Sequence, residues 1–340
     1  MRRYDIQILT PGSTSPMAEW KSYDSANKTN YPNAANVEWD IPVTAFAQPA
    51  GVAWVRIWGI PLKTIGSSSD FTWKNIRVYG GFSPLGALPL NKPKQYGLLF
   101  SGWIINSFGN WQGTDMTLDL YCAAGSAPSS GKDGGTGQIN QPKNYSLSWN
   151  KGMTLETALT NVFHIALPHI SKIDFRIDPS LVATDDWFDV FPTMESLNNF
   201  VNQKSKTIKG DTKYNGVQIY VINDTILVSD FTNIPSNNTK IDFSELIGQP
   251  TYGAPSGYEI QFKTPLRSDI SVTDSVALPT TIYTTTNSAA SGVLQQSGAL
   301  DKNKSLFKGA FSVKGVRHVA NFRSTDENAW ITIFNAYLKP

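Results

Sequence analysis

The side chains that could do chemistry are few and poorly spaced for it. His164 and His169 stand five residues apart with Pro168 between them. A helical zinc pair sets its histidines four apart around a glutamate, so no metal ligands are assigned here. His318 falls inside an alternating apolar run and reads as a structural histidine. Asp185, Asp186 and Asp189 gather around Trp187 and Phe188, with Glu195 close behind. Carboxylates so grouped could serve a glycosidase or a calcium loop. The run has no central glycine and no regular ligand ladder, so a solvated acidic loop ahead of a helix is the better reading. The single cysteine, Cys122, lies in register with an apolar strand face and reads as a buried, inert thiol. Residues 131–137 are glycine-rich but follow no strand-to-helix crossover, so they read as linker and not as a phosphate cradle. Trp103, Trp111, Trp149 and Trp187 could form a sugar platform, although such residues are more often core or interface anchors. No catalytic, cofactor-binding or metal residue is assigned, no cofactor is implied, and the chain is not expected to be an enzyme.

The elements that would position these groups are mostly strands. Residues 97–122 (GLLFSGWIINSFGNWQGTDMTLDLYC) read as a long hairpin. Met116, Leu118, Leu120 and Cys122 alternate with Thr117, Asp119 and Tyr121, which places the first set against a core and the second on the opposite face. Residues 106–115 are rich in Gly, Asn and Ser and read as the turn. An acidic side chain at Thr117 would then be tolerated. Upstream, 4–9, 37–46, 52–58 and 76–79 read as strands, Pro42 placing its strand at an edge or bulge, while 10–36 and 83–95 read as loops. Residues 1–123 thus form one β-barrel or sandwich, and 124–144 is a Gly/Ser/Pro-rich linker.

The periodicity then changes. Leu155, Leu159, Val162, Phe163 and Ala166 recur at helical spacing, with Thr154 as N-cap and Pro168 as stop. A second helix is predicted over about 193–204, a strand over 173–177, and a hairpin over 217–229 around Asn223-Asp224. Residues 145–245 are therefore a small α+β unit. Residues 246–340 return to β, with strands over 258–262, 270–272, 311–319 and 330–336 and a long polar loop over 278–308.

Composition narrows the class. The chain has 340 residues, 16 % charged and 12 % aromatic, with a net charge of 29 − 27 = +2. Ample apolar surface with few charges favours an obligate assembly. The small net charge, with no long basic run, gives no nucleic-acid footprint. One cysteine precludes an internal disulfide. No apolar run suits a signal peptide or a membrane span, so no membrane insertion is expected.

The order of these parts resembles a known family. Gly97, Phe100, Gly102 and Ile104, then Gly113, Thr114, Asp115, Leu120 and Cys122, preceded by VRIWGIPL at 55–62 and IRVYGG at 76–81, are similar to the N-terminal tube-like domain of baseplate hub proteins of contractile-tailed phages, a group shared with contractile injection systems. Leu246-Ile247-Gly248-Gln249-Pro250 resembles that family's next segment, and Gly315-Val316-Arg317-His318 with Trp330-Ile331-Thr332 its final hairpin. The resemblance implies a mainly β fold with an α+β insertion: two tube-like β-barrel domains plus a small helical/α+β domain. It further implies a homotrimeric ring that joins the sixfold tail tube, or its initiator, to the threefold central spike. Such a ring contacts other baseplate proteins and passes DNA only through its lumen. It belongs to the tail baseplate of the virion and is assembled in the host cytoplasm. Two other function classes stand beside this one. One is a cell-wall-degrading tail enzyme using Asp185, Asp186 or Glu195; the other is a carbohydrate- or receptor-binding module using exposed tryptophans.

Overall fold

The computed structural model describes residues 1–44, 51–83, 92–125, 144–167, 172–211, 214–223, 225–232, 238–252, 259–279 and 310–338. The first third contains β1 (Arg2–Leu9), β2 (Pro16–Lys21), β3 (Tyr23–Asp24), β4 (Thr29–Asn30), β5 (Val37–Thr44) and β6 (Val52–Trp58). It continues with the short helix α1 (Leu62–Gly66), β7 (Asn75–Phe82), the single turn α2 (Lys92–Gln95), β8 (Tyr96–Gln112) and β9 (Asp115–Ala124). The middle holds β10 (Tyr145–Trp149), α3 (Leu155–Ala166), β11 (Lys172–Arg176), β12 (Trp187–Phe191), α4 (Met194–Lys209), β13 (Gln218–Ile222) and β14 (Thr225–Ser229). The last third holds β15 (Asn238–Lys240), β16 (Thr251–Tyr252), β17 (Glu259–Pro265), β18 (Ser275–Ala277), β19 (Ala310–Asn321) and β20 (Trp330–Leu338).

The protein is mainly β, with one large mixed sheet and few helices. Thirteen strands share that sheet, along the path β16-β17-β20-β19-β5-β6-β9-β8-β7-β1-β2, with β18 branching from β19 and β15 pairing parallel to β18. This corrects the expectation of two separate tube-like barrels. The two β units are hydrogen-bonded to each other through β19 and β5, and no ladder among the described residues closes a ring. The reason lies in the length of β19. Its twelve residues pair with β20 along nearly their whole course, with β18 near the start and with β5 over the second half. Pro42 sits where its missing N–H does no harm: beyond the β5–β6 ladder, which ends at Asp40, and beside a bulge of β5 at Val43, where the pairing with β19 shifts register.

The long hairpin is present, with the expected inward face. Leu118, Leu120 and Cys122 are fully buried, as are Ala53, Val55 and Ile57 of the neighbouring β6. Its turn is much shorter than the ten-residue polar segment suggests. β8 runs on to Gln112, which pairs with Asp115, and only Gly113 (φ +62°) and Thr114 turn. The polar residues read as turn are in a strand because the segment behind α1 satisfies them. The Ser107 hydroxyl donates to the Ser68 carbonyl at 2.5 Å, and Gly109 N–H donates to the Ser68 hydroxyl at 3.2 Å. Gly109 lacks a side chain because a Cβ there would stand 2.8 Å from the Ile65 carbonyl oxygen, a requirement of close approach and not of turning.

Other expectations also change. Residues 10–36 are not one loop: β2 pairs with β1, and β3 with β4. Residues 270–272 are not a strand. Ile270 and Val272 are buried in a loop whose Thr273 has φ +72°, and the strand follows at β18. Most of the expected linker (126–143) and of the long polar loop (280–309) lies outside the described residues, as do Pro168, His169 and Asp224.

Three apolar clusters underlie the fold. The first gathers β1, β5, β6, β7, β8 and β9 and also takes in Leu266, Ala320 and Trp330. Trp330 lies 5.0 Å from Trp39 and donates its indole N–H to the Gly81 carbonyl at 2.8 Å. The second is built on α3 and α4. Thr154 caps α3 through the Thr157 N–H, and Thr193 and Ser196 form a reciprocal cap on α4, which runs to Lys209. The third gathers β17, β18, β19 and β20 with Tyr220 and Leu227. β13 and β14 serve two cores at once: Ile219 and Val228 face the helices, while Tyr220 and Leu227 face the third cluster. That explains their near-continuous apolar sequence.

Leu118→Asp would strand a charge in the first core, at a cost of several kcal/mol against a typical total of about 5–15 kcal/mol. Loss of soluble protein is expected. Thr117→Asp, on the outward face, is not the harmless control its sequence position suggests, because Thr117 is itself only 7 % exposed. Tyr121→Asp, at 44 % exposure on that face, is expected to fold. Equal melting temperatures for Leu118→Asp and Tyr121→Asp would mean a register slipped by one residue.

Candidate functional site

The groups singled out for chemistry do not come together. Asp185, Asp186 and Asp189 are exposed, and their carboxylates bind local donors. Asp186 accepts the Lys151 N–H at 2.7 Å, Asp185 the Thr184 hydroxyl at 3.2 Å, and Asp189 the Val190 N–H at 2.8 Å. Asp189 is not in a loop: it lies in β12, opposite Leu147 of β10, a strand pair that the acidic composition hid. Glu195 is exposed in the first turn of α4, where a carboxylate suits the helix dipole. Among the described residues, no group of three His, Cys, Asp or Glu side chains is placed to hold a metal ion.

Each remaining candidate has a structural role. Cys122 is fully buried, and desolvation pushes its thiol well above the ordinary range, so it stays protonated. His318 is buried, with Nδ1 2.9 Å from the Thr332 hydroxyl, and burial lowers its pKa to about 3, which keeps it neutral. His164 is exposed on the last turn of α3. Trp149 is in the second core with its N–H on the Met153 carbonyl, and Trp187 packs on it at 4.8 Å. Trp103 stacks on Trp73 at 5.0 Å. Trp111 is 64 % exposed at the hairpin tip, its N–H held by the Gly113 carbonyl. The four tryptophans therefore do not form one platform.

Two surfaces missed by motif reasoning stand out instead. The first is the outward face of β6, β9 and β8. Register places Trp54 beside Tyr121, Asp119 between Arg56 and Phe108, and Thr117 between Trp58 and Asn110. Arg56 grips Asp119 with both arms (2.6 and 3.1 Å), and the Asn110 amide donates to the same carboxylate at 2.6 Å. The guanidinium also stands over Trp54 at 5.1 Å and Trp58 at 5.6 Å. The Asp119 side chain is only 5 % exposed although it points away from the core. Around this neutralised centre, Phe108, Trp111 and Tyr121 are exposed. Strand alternation gives the face, but only the three-strand register brings the ion pair and the aromatic rings together.

The second surface is a cleft of about 230 Å³ where β1 meets β2 and β3, lined by Arg3, Asp5, Lys21, Tyr23, Asp24 and Tyr96 among others. Arg3 lies between the rings of Tyr96 (3.8 Å) and Tyr23 (4.4 Å) and donates to the Ser25 hydroxyl at 3.0 Å. Asp5 Oδ2 accepts from Gln7, while Oδ1 is buried with no hydrogen-bond partner. Burial, reinforced by the nearby Glu19, raises the Asp5 pKa to about 6, against the opposing pull of Gln7, Lys21 and Arg3. At neutral pH a buried carboxylate with one unpaired oxygen is a cost to the fold, because its charged form is desolvated.

Comparison with known proteins fits the architecture. No protein-family profile matches the chain, and no curated protein matches it in sequence. Among solved structures, the tail protein from Neisseria meningitidis MC58 superposes with a TM-score of 0.54 at 9 % identity, covering 98 % of this chain and 96 % of that one. The mainly β fold with its α+β insertion is thus a fold that this tail protein also has. The 43 kDa tail protein of prophage MuSo2 from Shewanella oneidensis gives a TM-score of 0.49 at 6 % identity, covering 99 % and 98 % of the two chains. A chain of the Francisella PdpA-VgrG complex gives 0.48 at 8 % identity, with 99 % of this chain and 58 % of that chain covered.

The Asp5 environment makes a signed prediction. A carboxyl whose folded pKa lies above its unfolded value stabilises the fold when protonated, and that contribution is lost as pH rises through about 6. Asp5→Asn should therefore raise the melting temperature at pH 8, with the gap to wild type closing as pH falls to 4. Thermal melts across that range check it; a gap that is constant or that widens in acid would exclude the desolvation account.

Proposed function

We propose that the chain is a structural tail protein of a phage or contractile injection system, and within that class the hub of the baseplate. In this reading three copies form a ring. The ring joins the tail tube, or its initiator, to the central spike, and its lumen is part of the path that DNA takes on ejection. The observation that carries the proposal is the end-to-end match in fold to a tail protein, 98 % of this chain against 96 % of the other. The family resemblance of residues 97–122 and 246–250, and the order of the three units, point the same way. The barrel-like closure expected of tube domains would then be completed in the assembled ring, by neighbouring chains covering the sheet edges at β2 and β16.

The enzyme reading is set aside because Asp185, Asp186, Asp189 and Glu195 are exposed and hold local hydrogen bonds or a helix end, and they do not line the cleft where β1 meets β2 and β3. The proposed chain binds no cofactor and performs no hydrolysis. Its location is the tail baseplate of the virion.

Sedimentation and electron microscopy of the purified chain, alone and mixed with its cognate spike, test the assembly: a threefold ring with a central lumen is expected in at least the mixture. A monomer in both would overturn the hub reading. Peptidoglycan incubated with the protein should remain intact. Hydrolysis by wild type that disappears in an Asp185→Asn, Asp186→Asn, Asp189→Asn triple variant would replace the structural reading with the enzymatic one.

A further inference from the structure

Arg3 lines the cleft of about 230 Å³ where β1 meets β2 and β3, and its positive charge is the one there that no counterion takes up. Lys21 is paired with Glu19 at 2.8 Å. Asp24 accepts the N–H groups of Ala26 and Asn27 at 2.9 and 3.3 Å and the Asn27 amide at 2.7 Å, which turns its carboxylate into its own loop. Arg3 gives one N–H to the Ser25 hydroxyl at 3.0 Å and lies close to the Tyr96 hydroxyl. Among the described residues it forms no ion pair with a carboxylate.

The tyrosines decide how this charge is presented. Tyr23 and Tyr96 cover the two faces of the guanidinium at 4.4 and 3.8 Å, so its fork of N–H groups is offered edge-on. Five N–H donors in one plane fit two oxygens of a single carboxylate, sulfate or phosphate group. The cleft is far larger than one water molecule needs, with room for such a group and the atom that carries it.

Asp5 sets the condition for occupancy. Its unpartnered oxygen is buried, so it acts on a ligand through its charge and not by contact. Burial and Glu19 of β2 hold a proton on this carboxyl, against Gln7 and Arg3 of its own strand and Lys21 of β2. On β7 Tyr79 stands opposite Asp5 and Arg77 opposite Gln7, and Tyr23, Asp24 and Tyr96 complete the surroundings. With burial the largest effect, the carboxyl is neutral below about pH 6 and charged above it. When charged it competes with an incoming anion for the field of Arg3. When neutral it leaves that field to the ligand, so anion binding and proton uptake favour each other reciprocally.

We propose that this cleft is a proton-linked oxyanion site, in which Arg3 holds a carboxylate or sulfate-like group and Asp5 is uncharged when the group is bound. The site is complete within one chain, so it stands apart from the hub reading and does not depend on ring assembly.

Titration of the full chain with sodium formate and with sodium sulfate, followed by calorimetry at constant ionic strength, tests it. Both anions keep their charge between pH 5 and pH 8. At pH 5 saturable binding of at least one is expected with a Kd on the order of 1 mM. Tighter binding of formate marks a carboxylate site, and tighter binding of sulfate a tetrahedral oxyanion site. Raising the pH to 7.5 should weaken binding about tenfold or more, with uptake of about one proton per anion bound at that pH. Asp5→Asn should remove the pH dependence and bind at pH 7.5 as tightly as wild type does at pH 5. Arg3→Gln should bind about tenfold or more weakly at both pH values, and Arg3→Lys, which keeps the charge without the fork, should fall between. Lys63→Gln, an exposed cation outside the cleft, should change nothing. Melting temperatures confirm that each variant is folded, and the Asp5→Asn result stands by itself if an Arg3 variant is insoluble. The proposal is overturned if neither anion binds saturably at pH 5, if Arg3→Gln binds as wild type does, or if Asp5→Asn keeps the wild-type pH dependence. Ring formation is read separately by sedimentation, so failure here and failure of the hub reading are distinguishable.

Discussion

The backbone ladder between β5 and β19 is the constraint on which the other contacts depend. It pairs residues 38–44 with residues 316–321, and so joins the first and last thirds of the chain into one sheet. A ladder of such sequence separation closes a very long loop, and its ordering cost must be met by what is buried around it. The apolar neighbours do this. Val37, Trp39 and Ile41 of β5 are each 1 % exposed or less, and Trp330, carried by the partner of β19, lies against Trp39. The Arg317–Asp40 ion pair crosses the same seam, but at 53 % and 38 % side-chain exposure it adds little. Burial therefore holds the seam.

The α+β unit is tied in by the same economy. β13 and β14 have no solvent-facing side: one face completes the helical core and the other the third core. Their turn reaches across to the first unit, where the Asn223 side chain accepts the Ser101 N–H at 2.7 Å. Asn223 has φ +54°, a conformation that asparagine tolerates better than most residues. On the other side Arg176 at the end of β11 donates to the Thr273 hydroxyl at 2.6 Å. The unit thus behaves as a wedge between two β regions, and its position follows from apolar strands that need cover on both faces.

Sequence periodicity reached the elements whose pattern is local. The inward face of β9, both helices, the Thr154 cap of α3 and the extent of β6 follow from alternation, helical spacing and capping chemistry, while the Thr193 cap of α4 came only with the structure. Three features did not follow. A polar strand residue such as Ser107 looks like turn unless its partner Ser68 is known. The β10–β12 pair was masked because Asp189 contributes its carboxylate to the neighbouring Val190 N–H, so a strand reads as an acidic loop. The joining of the two β units was invisible because β19 reads the same whether it closes a barrel or pairs with a distant strand. Of the candidate surfaces, sequence supplied the residues of the β6–β9–β8 face but not their juxtaposition. Arg56, Asp119 and Asn110 become one network only when three strands are placed in register.

That network bears on how so weakly charged a chain presents its surface. Only 16 % of its residues are charged, and many of those charges are paired within the chain: Arg56 with Asp119, Arg267 with Asp269 and Glu245, Arg176 with Asp174, Lys209 with Asp178. Arg267 is a clear case, its side chain 4 % exposed and both arms on Asp269 at 2.7 Å. Removing one member of such a buried pair leaves the other uncompensated, so the pairs act as locks more than as sources of net stability. Charges held this way cannot repel neighbouring molecules. The same chain exposes Phe188 and Val190 on β12 and Phe108, Trp111 and Tyr121 on the long hairpin. Apolar groups displayed beside internally neutralised charges make a surface with little electrostatic barrier to contact.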